Sequence, residues 1–459
     1  MKKIILTVSG GMLDTKKPND KIRKRMRYLN YGLLGLTTLL KHSCNAEAIM
    51  FQGDFDSPAE TLKKISDYGI DITKDCVCVL LSIPSLYSVS WCKCFCKLLK
   101  DNFDARIIVG GRWVVDNRTD WVKERLIYID DIITGFGEHT IIDMFSHSKS
   151  ITNVYDGSKK CFDWLDYSLL FDYKKYQPCI EVSRGCGSGC QFCADKANKR
   201  TANKEISLIS TELDKINKLY DNEEYSIYFQ APHFIFETLW TDQFCTMLES
   251  RKTLPTWRCT TRVESIKIDK LKDLKSAGLK VLDIGLESAS HKQLLAMCKT
   301  KDPGQYLDSA EKVLVECKKL GIWVKFNLLL YAGETYKTVN ETVDWITKHN
   351  ELIKYISVSS LTYYNNMTSL KPFFDLGASL PKQNRCFEQG YCNLNLSPEI
   401  DADAAQLLTI NIPKLVSTQQ DFYDIKKISY FEIGYSYVDF LKDLKECNSK
   451  TLPFTIDRK

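Results

Sequence analysis

Residues 184–193 read Arg-Gly-Cys-Gly-Ser-Gly-Cys-Gln-Phe-Cys, with three cysteines in a C-x3-C-x2-C spacing. Thiolates are soft ligands that select iron–sulfur clusters or zinc. The glycines between Cys186 and Cys190 let the backbone wrap a bound group without Cβ clashes. Three local cysteines leave one iron of a 4Fe–4S cluster without a protein ligand, which predicts an open position for a substrate. The spacing alone leaves open an iron–sulfur cluster, a structural zinc site or a chance grouping.

The cysteine motif follows the first strand of a series in which strands alternate with helices. The predicted strands are 180–183, 226–230, 256–261, 281–286, 323–330 and 355–361, and the predicted helices are 206–219, 240–251, 268–277, 306–320 and 341–349. About six β/α units predict a partial (β/α)6 TIM barrel over residues 179–365. The loops that follow the strands form the active face of such a barrel, and the cysteine motif is one of them.

A second alternating series precedes the motif, in residues 1–150. Its predicted strands are 4–8, 46–51, 76–82, 105–109 and 131–134, and its predicted helices are 28–42, 57–68 and 91–100. The pattern predicts an α/β, doubly wound, Rossmann-like domain that binds ligands at the carboxyl ends of its strands. We expect residues 151–178 to be a linker. Residues 366–459 lose the alternating rhythm and are expected to form a C-terminal extension.

The composition is that of a globular protein. Of 459 residues, 44% are hydrophobic and 26% are charged, and no apolar run reaches the roughly 20 residues that cross a bilayer. The 63 basic and 58 acidic residues give a net charge of +5, which makes nucleic acid an unlikely partner. The 18 cysteines in a chain without an export signal indicate metal binding or buried thiols rather than disulfides. We therefore expect a cytoplasmic protein.

The cysteine motif and its place after the first barrel strand resemble the radical SAM superfamily, over roughly residues 179–365. Members carry an aromatic residue before the third cysteine, and here that residue is Phe192. The resemblance implies that Cys186, Cys190 and Cys193 hold a 4Fe–4S cluster whose unique iron binds S-adenosylmethionine (SAM). An electron, supplied by a donor such as a flavodoxin or a ferredoxin, would then cleave SAM to methionine and a 5′-deoxyadenosyl radical.

Segments at the ends of the later strands are similar to the family's SAM-contacting segments in order and position. The residues that this likeness implies for cofactor binding, besides Phe192, are Gln230, Arg262, Glu287, Ser288 and Asn327. Structural alternatives exist, since Glu287 could be a capping or salt-bridged carboxylate and Asn327 could satisfy a neighbouring backbone group. His233 is more often a structural residue than a catalytic one in such a setting.

An α/β domain ahead of the cluster motif resembles the cobalamin-binding class of the superfamily. Segments 31–40, 107–112 and 130–138 carry this resemblance, which implies that Gly110, Gly111, Gly135 and Gly137 approach the corrin. None of the six histidines lies in the Asp-x-His-x-x-Gly loop that ligates cobalt in some cobalamin proteins. Cobalamin would therefore bind without a protein histidine. The alternative is a vestigial domain that packs on the barrel or binds substrate.

These resemblances lead to one expected function and two alternatives. The expected function is a cobalamin-dependent methyltransferase that acts on an unactivated carbon of a small-molecule or peptide substrate. One alternative is a cobalamin-independent radical SAM enzyme that modifies a peptide or natural product. The other, from a different class, is a non-catalytic zinc-binding module.

Two further groups of residues have less certain roles. Cys92, Cys94 and Cys96 lie in a predicted helix, where alternate residues do not share a face, so joint ligation is not expected. Cys386, Cys392 and Cys447 are either auxiliary ligands or plain thiols. The aromatic residues of the extension predict either a cap over the substrate or ordinary core packing.

Overall fold

The computed structural model describes residues 3–12, 21–146, 157–193, 196, 198–221, 223–364, 369–382 and 390–456. The chain forms two compact units. The first comprises Met1–Pro178, Leu208–Glu224 and Tyr430–Cys447, and the second comprises Cys179–Ser207, Tyr225–Ser429 and Asn448–Lys459. The division into domains at residues 150, 178 and 365 stays a prediction. The structure groups the expected linker with the first unit and divides the expected extension between both units.

The first unit is built on a five-stranded sheet in the order β2-β1-β3-β4-β5, with every pairing parallel. Its strands are β1 (Ile4–Ser9), β2 (Glu47–Gln52), β3 (Cys76–Ser82), β4 (Ile107–Gly110) and β5 (Asp131–Ile132). Its helices before residue 150 are α1 (Tyr31–His42), α2 (Pro58–Asp67), α3 (Val89–Asn102), α4 (Thr119–Arg125) and α5 (Glu138–Phe145), and single helical turns lie at Lys21–Lys24 and Ile72–Asp75. This confirms the doubly wound prediction, in the flavodoxin-like strand order.

Local sequence signals explain how several of these elements begin and pack. The Ser57 side chain accepts from the Glu60 amide, and the Glu60 carboxylate accepts from the Ser57 amide, so a capping box begins α2. In α3, Cys92 and Cys96 are buried while Cys94 is exposed, which confirms that alternate cysteines of this helix do not share a face.

The described part of the expected linker, from residue 157 to residue 178, packs on the first sheet. Leu170 forms a parallel bridge with Met50 of β2, and the Phe171 amide donates to the Met50 carbonyl at 2.8 Å. The Phe171 ring stacks on Phe51 with the ring centroids 4.7 Å apart. The segment therefore extends the hydrophobic core beside β2.

The second unit is built on six parallel strands in the order β11-β10-β9-β8-β7-β6, which confirms the partial barrel. The strands are β6 (Cys179–Glu181), β7 (Ser226–Gln230), β8 (Thr256–Thr261), β9 (Leu279–Glu287), β10 (Trp323–Leu330) and β11 (Tyr355–Ser360). The helices between them are α6 (Ile206–Leu219), α7 (Thr238–Glu249), α8 (Leu271–Ser276), α9 (His291–Ala296), α10 (Pro303–Leu320) and α11 (Tyr336–Lys348). Most of α6 belongs to the first unit.

The remaining elements follow β11. They are the antiparallel pair β12 (Thr362–Tyr364) and β13 (Tyr391–Asn393), a turn at Lys371–Phe374, and helices α12 (Ala402–Asn411), α13 (Gln419–Lys427) and α14 (Tyr437–Leu444). Helix α14 lies in the first unit. Within the described ranges, no helix combines the length and apolar character that a membrane span requires.

Helix α13 lies at the amino ends of the barrel strands. Lys354, which immediately precedes β11, forms ion pairs with Asp421 and Asp424 of α13, each at 2.7 Å. The Tyr355 ring packs on Phe422 at 5.9 Å. Because the active face of a barrel is at the opposite, carboxyl ends, this helix closes the floor of the barrel. The expected substrate cap stays a prediction for other parts of the extension.

Candidate functional site at the carboxyl ends of the barrel strands

The cysteine loop leaves the carboxyl end of β6 and is paired with the returning chain. The Arg184 carbonyl accepts from the Thr201 amide at 2.8 Å, and the Cys186 amide donates to the Asn198 carbonyl at 3.1 Å. The Arg184 guanidinium makes two hydrogen bonds to the Glu181 carboxylate, at 2.8 and 3.0 Å. Both side chains are buried, so this bidentate ion pair fixes the start of the loop.

Three glycines give the loop its curvature. Gly185, Gly187 and Gly189 have φ angles of 67°, 70° and 75°, in the left-handed region that favours glycine. Gly185 also lies against the returning chain, because a Cβ atom there would be 2.2 Å from the Lys199 carbonyl oxygen. Left-handed backbone at every second residue therefore explains why glycine alternates with Cys186, Ser188 and Cys190.

The three cysteines differ in surroundings. Cys190 is buried and its sulfur accepts from Arg262 Nη1 at 3.0 Å, while Cys186 Sγ lies 3.0 Å from Ser188 Oγ. In the described part of the chain, no three His, Cys, Asp or Glu side chains are placed to share one metal ion. Cys190 thus has a charged hydrogen-bond donor at its sulfur, whereas Cys186 has a neutral hydroxyl beside its sulfur.

Arg262 follows β8 and is held by three different acceptors. Besides the Cys190 sulfur, Nε donates to Glu264 Oε1 at 2.6 Å and Nη2 donates to the Lys299 carbonyl at 2.7 Å. Its side chain is 11% exposed. The guanidinium therefore connects the cysteine loop with the segment that follows α9.

Glu287, at the end of β9, is paired with a buried lysine. Lys299 Nζ donates to Glu287 Oε1 at 3.1 Å, with the Lys299 side chain 3% exposed and that of Glu287 13% exposed. Glu287 has a φ of 67°, which is unusual for a residue with a side chain. Gly285 makes room for the pair, since a Cβ atom there would lie 2.4 Å from Glu287 Oε1. Backbone and neighbours together fix the position of this carboxylate.

The other expected cofactor residues fall into two groups. Gln230 ends β7 and Asn327 lies in β10 beside Gly285, both only partly exposed, and Asn327 Oδ1 accepts from Lys325 Nζ at 3.1 Å. Ser288 is buried, and its hydroxyl contacts Thr342 Oγ1 and accepts from the Ser290 amide, each at 3.0 Å. The Ser288 hydroxyl is thus engaged in the turn after β9.

Phe192 and His233 have well-defined neighbours. The Phe192 ring lies 6.3 Å from the Tyr331 ring, centroid to centroid, and Tyr331 in turn packs on Phe373. Burial, aided by the charge of Arg262, lowers the pKa of His233 to about 4, and its Nε2 lies 2.5 Å from Ser265 Oγ. A neutral, hydrogen-bonded His233 supports its structural interpretation.

A charged cluster on the inner face of the barrel has no counterpart among the expected site residues. Arg258, Asp283 and Lys325 are buried; Asp283 pairs with Arg258 and, at 2.9 Å, with Lys325 Nζ. Arg258 Nη1 also donates to the Ile425 carbonyl of α13 at 3.1 Å. Burial, together with the charges of Lys325 and Arg258, lowers the pKa of the nearby Lys426 to about 7. The cluster ties the barrel floor to α13.

Of the four glycines expected to approach a corrin, three lie against other atoms of the chain and one faces open space. A Cβ atom on Gly111 (φ 107°) would lie 2.6 Å from Ser82 Oγ, and one on Gly110 would lie 3.2 Å from the Ile133 carbonyl oxygen. A Cβ atom on Gly137 would meet Leu36 at 3.4 Å. At Gly135 (φ 68°) nothing lies within 4 Å. The open position, after β5 at the carboxyl edge of the first sheet, is therefore Gly135.

Some site residues were not predicted from the sequence, and one predicted position lies outside the described residues. Lys299 belongs to no motif, and Glu264 ends the segment that carries Arg262 but was given no role. The contacts that bring Arg262 to Lys299 and Cys190 span 37 and 72 residues. Such contacts leave no local signal. Cys386 lies outside the described residues, and a ligand role for Cys447 stays a prediction. Cys392 is disulfide-bonded, so the expectation of an auxiliary ligand or a plain thiol was wrong for this residue.

Comparisons with known proteins show a family match for the barrel and a fold likeness for the chain. Residues 180–346 match the model of the radical SAM superfamily. The search of curated proteins returns no match. The fold is similar to the cobalamin-dependent S-adenosylmethionine radical enzyme OxsB with aqua-cobalamin bound (TM-score 0.62, 16% identity), over 88% of this chain and 66% of that one. This chain therefore spans slightly less than two thirds of that relative.

A second similar structure is a methyltransferase. It is the radical S-adenosylmethionine methyltransferase TsrM from Kitasatospora setae with cobalamin and a [4Fe-4S] cluster bound (TM-score 0.58, 14% identity), covering 80% of this chain and 73% of that one. At these identities the likeness shows the fold alone. Residues 180–346 thus match the radical SAM superfamily, and the chain has a fold similar to those of OxsB and TsrM.

Proposed function

We propose that this protein is a radical SAM enzyme that holds a 4Fe–4S cluster through Cys186, Cys190 and Cys193. The observation that carries the proposal is the cysteine loop, which glycines with positive φ and backbone pairing form at the carboxyl end of the first barrel strand. Three thiolates and one open iron position suit such a cluster. Reductive cleavage of SAM to a 5′-deoxyadenosyl radical is the chemistry that the cluster supplies when bound.

The residues of the barrel would bind and orient SAM beside the loop. Glu287 offers a negative charge for the SAM amino group, and its ion pair with Lys299 holds the carboxylate in place before SAM arrives. Gln230 and Asn327 offer partly exposed amide groups on the inner face of the sheet. Phe192 provides an apolar surface against Tyr331. Ser288, with its internal partners, supports the turn that carries Glu287.

We further propose that the first unit binds cobalamin at the carboxyl edge of its sheet, and that the enzyme is a methyltransferase acting on an unactivated carbon. The fold likeness to OxsB and TsrM and the open surface at Gly135 support this. A methyl carrier is what cobalamin supplies when bound. The substrate would be a small molecule or a peptide, and a flavodoxin or ferredoxin would deliver the electron.

A specific observation favours a second candidate, a cobalamin-independent radical SAM enzyme that modifies a peptide or natural product. Other glycines at the carboxyl ends of β1 and β2 are covered by the chain itself. A Cβ atom on Gly10 would lie 2.4 Å from Cys92 Sγ, and one on Gly53 would lie 2.6 Å from the Trp91 ring. If the same side chains block the corrin, the first unit would serve as a scaffold or substrate dock.

Anaerobic reconstitution with iron, sulfide and hydroxocobalamin, followed by desalting and an ultraviolet–visible spectrum, tests these proposals. We expect iron–sulfur absorbance, about one corrin per chain, and 5′-deoxyadenosine after addition of SAM and dithionite. Replacing all three loop cysteines by alanine should abolish the iron–sulfur absorbance, whereas Cys94→Ala, at an exposed thiol, should not. Iron–sulfur absorbance without corrin would favour the cobalamin-independent enzyme. A colourless protein with one zinc per chain would contradict both.

A further inference from the structure

Arg262 occupies a position that SAM-binding residues take in the family likeness, yet its guanidinium is directed at the cysteine loop. Nη1 lies 3.0 Å from Cys190 Sγ, Nε donates to Glu264 Oε1 at 2.6 Å, and Nη2 donates to the Lys299 carbonyl at 2.7 Å. These contacts use three of the five N–H groups of the guanidinium. Because the group is rigid and planar, turning it away from the sulfur would break all three hydrogen bonds.

One chain segment holds both sides of this contact. The Gln191 amide, next to Cys190, donates to the Met297 carbonyl at 3.0 Å, and Arg262 donates to the Lys299 carbonyl two residues later. The Lys299 amide itself donates to the Leu294 carbonyl at the end of α9, also at 3.0 Å. Because the same short segment anchors the loop and the guanidinium, their separation is set by the fold and not by a flexible side chain.

A fixed cation at a ligating sulfur changes the energetics of electron uptake. Hydrogen bonds and positive charge at a cluster sulfur stabilise the more negative, reduced state and raise the reduction potential. The sulfur of Cys186, by comparison, lies near the neutral hydroxyl of Ser188. The cysteine loop therefore carries a charge-assisted hydrogen bond at a defined ligand, in a partly buried place where the charge is little screened.

We propose that Arg262 tunes the cluster of this enzyme, raising its reduction potential through the hydrogen bond to Cys190 Sγ. The inference rests on the proposed 4Fe–4S cluster. It makes Arg262 the residue that brings the cluster within reach of its electron donor. Glu264 and Lys299 act as positioning residues for the guanidinium.

The test is an electron paramagnetic resonance redox titration of the reconstituted full-length protein, beside iron and sulfide analysis and a measured SAM affinity. Arg262→Gln removes the charge, and Arg262→Lys keeps it on a side chain that cannot make all three contacts. Arg200→Gln is the matched control, because the Arg200 side chain is similarly shielded (13% exposed) and donates to the Thr201 and His233 carbonyls.

We expect the midpoint potential of Arg262→Gln to shift to more negative values, that of Arg262→Lys to shift less, and that of Arg200→Gln to match the wild type. A full iron content in Arg262→Gln with an unshifted midpoint, or a loss of SAM affinity without a shift, would overturn the inference. If Arg262→Gln fails to hold iron, the midpoint potential of Arg262→Lys is compared with that of the wild type instead. An unshifted midpoint in Arg262→Lys would then overturn the inference. A wild-type protein that assembles no cluster would instead overturn the proposed function, and this inference with it.

Discussion

Glu334 shows at the residue scale how burial sets a pH dependence. Its side chain lies almost wholly inside the second unit, and burial raises its pKa to about 7, against the lowering effect of hydrogen bonds from Thr338 and the Tyr331 amide. A carboxyl whose folded pKa exceeds its unfolded value of 4.5 stabilises the fold fully below pH 4.5. That stability is lost as the pH rises through 7.

We therefore expect Glu334→Gln, which cannot ionise, to gain stability relative to the wild type as the pH rises. From pH 5 to pH 8 the advantage should grow by about 2–3 kcal/mol, because each pKa unit corresponds to about 1.4 kcal/mol. Denaturant unfolding followed by tryptophan fluorescence measures it. Glu351→Gln, at an exposed carboxyl, is the control. A difference that stays constant with pH would contradict the interpretation.

Asp283 balances the buried cations of the barrel floor. Its pKa is held below the usual value although burial opposes this, because Arg258 and Lys325 both contact it. Asp283→Asn leaves these cations uncompensated, and we expect a loss of about 3–5 kcal/mol in the free energy of unfolding. Urea unfolding measures the loss, with Asp269→Asn as an exposed control. Adding Lys325→Met to Asp283→Asn should restore part of it, and strictly additive effects would argue against the cluster.

At the scale of elements, the cysteine loop depends on where each glycine lies. Gly185→Ala would place a Cβ atom 2.2 Å from the Lys199 carbonyl oxygen, whereas a Cβ atom on Gly189 meets nothing within 4 Å. Both positions have positive φ, so each substitution carries a backbone penalty of about 1–2 kcal/mol, and Gly185→Ala adds the clash. After anaerobic reconstitution we expect Gly185→Ala to lose most of its iron and Gly189→Ala to keep it. Equal iron contents would show that the pairing with residues 198–199 does not shape the loop.

Elements with a clear sequence pattern were predicted well, and short elements without one were missed. Strands β3, β7, β8 and β10 begin and end at the predicted residues, because apolar runs of strand length are bounded by turn residues. Helix α9 has six residues and was not predicted, since one and a half turns give no usable periodicity. Helices α12, α13 and α14 were missed for a similar reason, each having ten residues or fewer.

The sequence predicted those residues of the candidate site that lie in local motifs, but not the contacts between distant segments. The place of the cysteine loop after the first barrel strand follows from the β/α order, and Gln230, Glu287 and Asn327 follow from the likeness of their segments to those of the family. The Arg262–Cys190 contact does not, because it depends on how β8 is placed relative to the loop. Ser288 was predicted from its motif, but the direction of its hydroxyl was not. Tertiary packing places that hydroxyl against Thr342.

For the whole molecule, the proposed function places two cofactors on two separate sheets. A ligand that binds the folded state stabilises the unit it contacts, by about 2.7 kcal/mol at a hundredfold excess over its dissociation constant. Hydrogen–deuterium exchange can therefore assign each cofactor to a unit. We expect hydroxocobalamin to slow exchange in peptides covering 107–112 and 130–138, and SAM to slow exchange in peptides covering 258–264 and 283–290 of the cluster-loaded protein.

Gly135 provides the variant that separates specific binding from general stabilisation. Gly135→Val and Gly377→Val both place a side chain on backbone with positive φ, and nothing lies within 4 Å of the added Cβ atom at either position. Gly377 belongs to the second unit. We expect Gly135→Val to abolish the hydroxocobalamin protection of 107–112 and 130–138 while retaining the SAM protection, and Gly377→Val to retain the hydroxocobalamin protection. If hydroxocobalamin protects these peptides equally in Gly135→Val and the wild type, the corrin does not bind at this edge of the first sheet.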